Sequence, residues 1–166
     1  MRLLAIDPGP EETAFVIWDT ETNKFCFSPE HQFRCGILEN EFFLSLCADW
    51  YPLCDSIAIE MIQSYGMPVG KSTFQTALFV GRIIEHIRMI RYTVNNIHEP
   101  KEVKLYGRPA IKGQIGGQND TQIRQALRIR FGDAKRGEPL EGVKKDVWAA
   151  LALAVALSER PQLREW

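Results

Sequence analysis

The stretch RLLAIDPGPEETAFVIWD, residues 2–19, holds two apolar runs, Leu3–Ile6 and Thr13–Trp18, separated by a Pro-Gly-Pro break. Short apolar runs bounded by turn residues read as strands, here successive strands of a hairpin or meander. The first run ends in a carboxylate, Asp7. Asp-Pro-Gly is good turn chemistry, so one reading makes Asp7 an ordinary turn residue. The other makes it a metal ligand held at the end of a sheet strand. That second reading requires partners elsewhere in the chain.

Two partners are present. SIAIE, residues 56–60, is another short apolar run that ends in a carboxylate, Glu60. KKDVWAALALAVAL, residues 144–157, places Asp146 in the first turn of a helix expected from about Lys145 to Ser158. A helix rich in Ala and Leu packs closely on a sheet, and its N-terminus favours negative charge. If that helix starts beside the two strand ends, three carboxylates converge. They repel one another and their pKa values rise, a conflict that a divalent cation removes. Hard oxygen ligands select Mg²⁺, with Mn²⁺ as a substitute, and two such ions can clamp both oxygens of an in-line phosphoryl displacement.

The remaining chain reads as a mixed α/β order within a single domain, 1–166. A third strand is expected between Lys24 and Gly36, and a helix over Glu41–Tyr51 capped by Asn40. A longer helix is expected over Phe74–Arg91, then a strand near Thr93–Ile97 and a short helix from Pro100 to Tyr106. Gly107–Asn119 reads as a Gly-rich basic loop, and Asp120–Phe131 as a helix closed by Gly132. Early antiparallel strands followed by helical crossovers imply a mixed sheet with helices on both faces.

The 166 residues, 45% hydrophobic and 25% charged, suffice for one core. No apolar run is long enough to span a bilayer, and Asp7 interrupts any signal-peptide pattern. Cys26, Cys35, Cys47 and Cys54 form no C-x-x-C pair, so they read as reduced thiols of a cytoplasmic protein rather than a zinc site. The net charge is only −1, but it is unevenly spread. Residues 1–60 carry three Lys/Arg against eleven Asp/Glu, whereas residues 101–136 carry nine against three. Such asymmetry can make a basic face on a nearly neutral protein.

LLAIDPG, IAIE and KKDVWAALALA, in this order and at this spacing over nearly the whole chain, resemble the RNase H-like superfamily and within it the RuvC-type Holliday junction resolvases. KEVKLYGRPAIKG…NDTQIRQALRIRFG resembles the phage and prophage branch of those enzymes. The resemblance implies a central mixed five-stranded sheet, a homodimer, and Mg²⁺-dependent nicking of branched DNA by Asp7, Glu60 and Asp146, in a bacterial or phage-infected cell. The family pattern carries a second acid one turn further along the last helix. Here that position is Ala149, and Glu141 is a candidate replacement. The alternatives are an RNase H-like nuclease for flaps or hybrids, and a junction-binding module without catalysis.

MPVGKSTF ends like a P-loop, but the required first glycine is Tyr65, so an NTPase is disfavoured. Actin-like ATPases share the Asp-x-Gly opening but need a second domain. The segment after Glu60 reads instead as a substrate loop. Gln63, Tyr65, Lys71 and Ser72 offer hydrogen bonds to phosphates, and Tyr65 a stacking surface. Arg108, Lys112, Arg124, Arg128, Lys135 and Arg136 are candidate backbone contacts, while Lys144 or Lys145 could orient a phosphate beside Asp146. No metal role falls to His31, His86 or His98. The stripe Phe74, Ala77, Leu78, Gly81, Ile84 and His86–Ile87 reads as a packing or dimer face.

Overall fold

A computed structural model describes residues 1–26, 34–63, 68–93, 101 and 103–166. The strands are β1 (Arg2–Pro8), β2 (Glu12–Asp19), β3 (Lys24–Phe25), β4 (Cys35–Glu39), β5 (Ser56–Met61) and β6 (Val103–Gly107). The helices are α1 (Asn40–Trp50), α2 (Lys71–Thr93), α3 (Arg108–Ile115), α4 (Asp120–Phe131) and α5 (Val147–Glu159). The sheet order is β3-β2-β1-β5-β6, with β4 also pairing with β2. β1 pairs antiparallel along the whole of β2, whereas β5 and β6 join parallel to β1 and to each other. β3 meets β2 at Trp18 and Asp19, and β4 meets it over Glu12–Val16, so the two short strands share one edge. Six strand segments thus fill five strand positions, and the expected mixed five-stranded sheet with helices on both faces is present.

Strand alternation sorts the core into two layers. Leu4 and Ile6 of β1, Phe15 and Ile17 of β2, and Ile57 and Ile59 of β5 pack with Phe43, Cys47 and Trp50 of α1 and Phe79, Ile83 and Ile87 of α2. Leu3 and Ala5, Ala14 and Val16, and Ala58 face the other way, toward α5. The small side chains Ala5, Ala14 and Ala58 lie under a helix itself built of Ala, Leu and Val. Every α5 residue from Val147 to Leu157 except Ala149 is buried, because the sheet covers one side and α3 and α4 cover the other. A helix apolar all round is stable only in such a sandwich.

Four sequence expectations change. The segment expected as a helix up to Tyr106 forms β6, whose Ile59-facing Leu105 and Glu60-facing Tyr106 complete the sheet. The expected loop over 107–119 is mostly α3. Pro109 is accommodated in its first turn, where no intrahelical N–H is needed, and left-handed Gly116 ends it. α1 begins at Asn40 rather than being capped by it, because the Asn40 side chain accepts from Thr13 Oγ1 and donates to the Gly9 carbonyl. α2 starts three residues earlier than expected and runs to Thr93. The strand expected near 93–97 otherwise lies outside the described residues, as do Tyr65, His31 and His98.

Among the described residues no helix is long and apolar enough to cross a membrane. The four cysteines are unpaired, and burial pushes the Cys47 and Cys54 thiols up to about 12. Neither is a nucleophile in that state.

Candidate active site

The alternation that puts Ala5 and Ala58 under α5 continues to the strand ends. Two residues on, it carries Asp7 and Glu60 to the same face. Ile6 pairs with Ile59 across the parallel β1–β5 register, so the next step sets Asp7 beside Glu60. Above them α5 begins. Asp146 is its N-cap residue, yet its side chain makes no capping hydrogen bond and is left for other partners. Lys145 just before it takes a left-handed φ of 45°, the backbone turn that delivers Asp146 to the helix start. Such a conformation in a residue other than glycine is strained.

The electrostatics reflect this crowding. Burial pushes the Asp7 carboxyl well above its usual range, and the charges of Glu60, Asp146 and Asp120 add to the shift against the opposing Arg108. Glu60 is 7% exposed, and burial raises its carboxyl too, although Arg108 works against the rise. Arg108, the first residue of α3, places Nη1 2.5 Å from Glu60 Oε1 and Nη2 2.9 Å from Asp120 Oδ1. Lys112, one turn along α3, reaches the same Asp120 oxygen at 3.1 Å. Burial opposes ionisation of Asp120, but the bonds from Arg108 and Lys112 outweigh it and hold this carboxyl low.

A cleft opens beside this cluster. Glu60, Arg108, Lys112 and Asp120 line one wall, and Lys145, Asp146 and Ala149 the other, with Arg124 at its side. A second opening joins Asp7, Glu60, Gln63 and Arg108. Gln63 lies against the end of β6, where a Cβ on Gly107 would meet its amide nitrogen at 2.6 Å, so a side chain there would push Gln63 aside. Among the described residues no three of His, Cys, Asp and Glu stand close enough, as placed, to hold a metal ion. Glu60 and Asp120 instead share the Arg108 guanidinium. The chemistry of the carboxylates still suits a hard divalent cation: oxygen donors in excess, two of them raised by burial and repulsion.

The other sequence candidates are placed differently. The Glu141 carboxylate accepts from the Gly137 N–H, outside both openings. Arg128 lies over the Trp148 ring at 5.3 Å and pairs with Asp133. Lys71 and Ser72 open α2 and are exposed, as is Lys144. In the sequence, Asp120 stands out only as a helix start. Its place opposite Glu60 follows from packing α4 against α3, which local pattern does not encode.

Comparisons with known proteins find likeness in structure alone. The chain superposes on Thermus thermophilus RuvC with a TM-score of 0.67 at 12% identity, covering 100% of both chains. It superposes on T. thermophilus RuvC in complex with a Holliday junction substrate with a TM-score of 0.65 at 12% identity, covering 100% of this chain and 99% of that one. The chain has the RuvC fold. No family model and no curated protein matches the sequence. The likeness to RuvC therefore rests on backbone architecture, and the roles of individual residues are argued from their own surroundings.

Proposed function

We propose that this chain is a metal-dependent endonuclease that resolves four-way DNA junctions. The observation that carries the reading is the continuation of one strand face into two adjacent carboxylates, Asp7 and Glu60, beneath the Asp146 start of α5, on a backbone that matches RuvC over its full length. One of the matching structures was solved with a Holliday junction substrate.

Asp7, Glu60 and Asp146 would hold the Mg²⁺ ions, and Mn²⁺ would serve in their place. When bound, divalent ions supply Lewis-acid stabilisation of charge at a reacting phosphodiester. The protein's own groups bring the phosphate there. Lys112, Arg124 and Lys145 line the cleft and attract the DNA backbone. Gln63 beside the strand ends orients the strand that enters. A junction presents two strands for cutting, so two copies of the site related by a two-fold axis match the substrate. α2 offers the surface for such pairing. Its core side holds Phe79, Ile83 and Ile87, while Phe74 at 62% and Leu78 at 71% exposure face outward.

The deciding experiment incubates the protein with a synthetic four-way junction, a flap, an RNA–DNA hybrid and a duplex, with and without Mg²⁺. Paired symmetric nicks on the junction that need Mg²⁺ support the reading. Preferential cutting of the flap or hybrid would move the substrate elsewhere within the fold's nucleases. Tight junction binding without cleavage at any Mg²⁺ or Mn²⁺ concentration would replace catalysis with binding.

A further inference from the structure

Glu60 is the most buried of the site carboxylates, and its ion-pair partner among the described residues is Arg108. Asp120, at the other end of the guanidinium, has a second cation, since Lys112 shares its Oδ1. The arrangement is therefore asymmetric. If Arg108 lets go, Asp120 stays paired with Lys112, whereas Glu60 is left as a buried charge with no ion pair among the described residues and only the weaker pull of Lys112. Such a charge is strongly unfavourable. A divalent cation is the replacement that the site's chemistry suits.

Arg108 and that cation compete for one oxygen. Magnesium binds carboxylate oxygen at about 2.0–2.1 Å in a near-octahedral shell. A guanidinium nitrogen 2.5 Å from Glu60 Oε1 stands inside the space such a shell needs. It also sets a positive charge against the incoming one. Arg108 is 33% exposed and lines both openings of the site, so a DNA phosphate entering either one can reach it. Arginine pairs with phosphate in two-pronged hydrogen bonds.

We infer that Arg108 is a positioning residue that couples DNA binding to cation binding: in the free protein it occupies Glu60 and holds divalent ions off, and a DNA phosphate draws it away and leaves Glu60 to the ion. The inference rests on the nuclease reading above, and adds to it an order of events and a residue that sets it. Coupling of this kind is reciprocal, so the ion must raise DNA affinity by the same factor that DNA raises ion affinity.

The test measures Mn²⁺ binding by electron paramagnetic resonance of the free ion, at constant ionic strength, on the full chain with and without a short DNA duplex. Arg108→Gln removes the charge, and Arg108→Met removes it while keeping the length of the arm; thermal melting checks that each is folded. Both variants, without DNA, should bind Mn²⁺ about tenfold more tightly than the wild type, within the usual range of coupling between sites. DNA should tighten Mn²⁺ binding to the wild type at least about fivefold, and to the variants less than about twofold. Variants that bind Mn²⁺ no better than the wild type, or that keep the full effect of DNA, would overturn the coupling while leaving the nuclease reading intact. Absence of Mn²⁺ binding in all three proteins, with and without DNA, would overturn both.

Discussion

The Ala149 N–H donates to the Asp146 carbonyl at 2.9 Å, which sets the Ala149 methyl on the cleft wall one turn beyond the Asp146 carboxylate. A side chain at 149 thus points into the same space as the proposed ion site. Ala149→Asp adds a carboxylate there without disturbing the sheet side of α5. The Mg²⁺ concentration that gives half-maximal junction cleavage should fall severalfold. A titration of rate against Mg²⁺ that leaves the midpoint unmoved would show that the cleft does not use this position.

Asp146→Asn keeps the shape of the α5 start and removes one charge. Cleavage should fall by about two orders of magnitude or more, since ion-borne charge stabilisation is lost. Junction binding measured by fluorescence anisotropy in the absence of metal should survive or tighten. Glu141→Gln is the control. Its carboxylate serves the Gly137 turn, so cleavage should stay near normal, and a collapse there would relocate the fourth acid.

The raised Asp7 carboxyl makes a claim about stability. In the unfolded chain it loses its proton near 3.8, whereas the folded protein keeps it to higher pH because of burial and the Glu60 charge. Folding therefore binds a proton, and the metal-free protein loses stability as pH rises above 3.8 through the folded-state value. Asp7→Asn cannot ionise and escapes this loss. Its melting temperature in chelator should match the wild type in acid and exceed it at neutral pH. The gain should be about 2–4 °C for each kcal/mol relieved in a chain of this size. A variant less stable than the wild type at neutral pH would show that Asp7 is comfortably solvated.

Ala5 is fully buried beneath α5. Ala5→Leu overfills that layer and should cost about 1–3 kcal/mol in urea unfolding. It should also slow cleavage, because lifting α5 displaces Asp146. Wild-type stability would mean that α5 is not in close contact with β1.

If the chain pairs through α2 as proposed, wild type should run as a dimer in light scattering, and Leu78→Lys on the outer side of α2 should make it a monomer with the fold retained. An unchanged dimer would move the interface elsewhere.

Much of this was legible because strands advertise a period of two. Asp7 and Glu60 each end an apolar run, and the hydrophobic α5 stretch could belong only to a covered helix. β6 was not legible, since VKLYG alternates charge and apolar residues in a way a short helix also tolerates, and Pro100 suggested a helix start. α3 was hidden by Pro109, Gly113 and Gly116, each a breaker in the abstract and harmless where it sits. The Glu60–Arg108–Asp120 arrangement joins β5, α3 and α4, and no local pattern records a contact across 48 residues of chain.

The enclosure of α5 has a kinetic meaning. Amide protons in a helix covered on every side exchange with solvent only when the whole molecule opens, whereas those of an outer layer escape through local fluctuations. The backbone that carries Asp146 should thus be among the last in the chain to take up deuterium, and the Gly-flanked α3 that carries Arg108 among the first. The parts of the cleft built on α5 and on the central strands are then as permanent as the fold itself, and the part built on α3 is free to move at far lower cost. In this site the carboxylates are the fixed part and the arginine is the moving one.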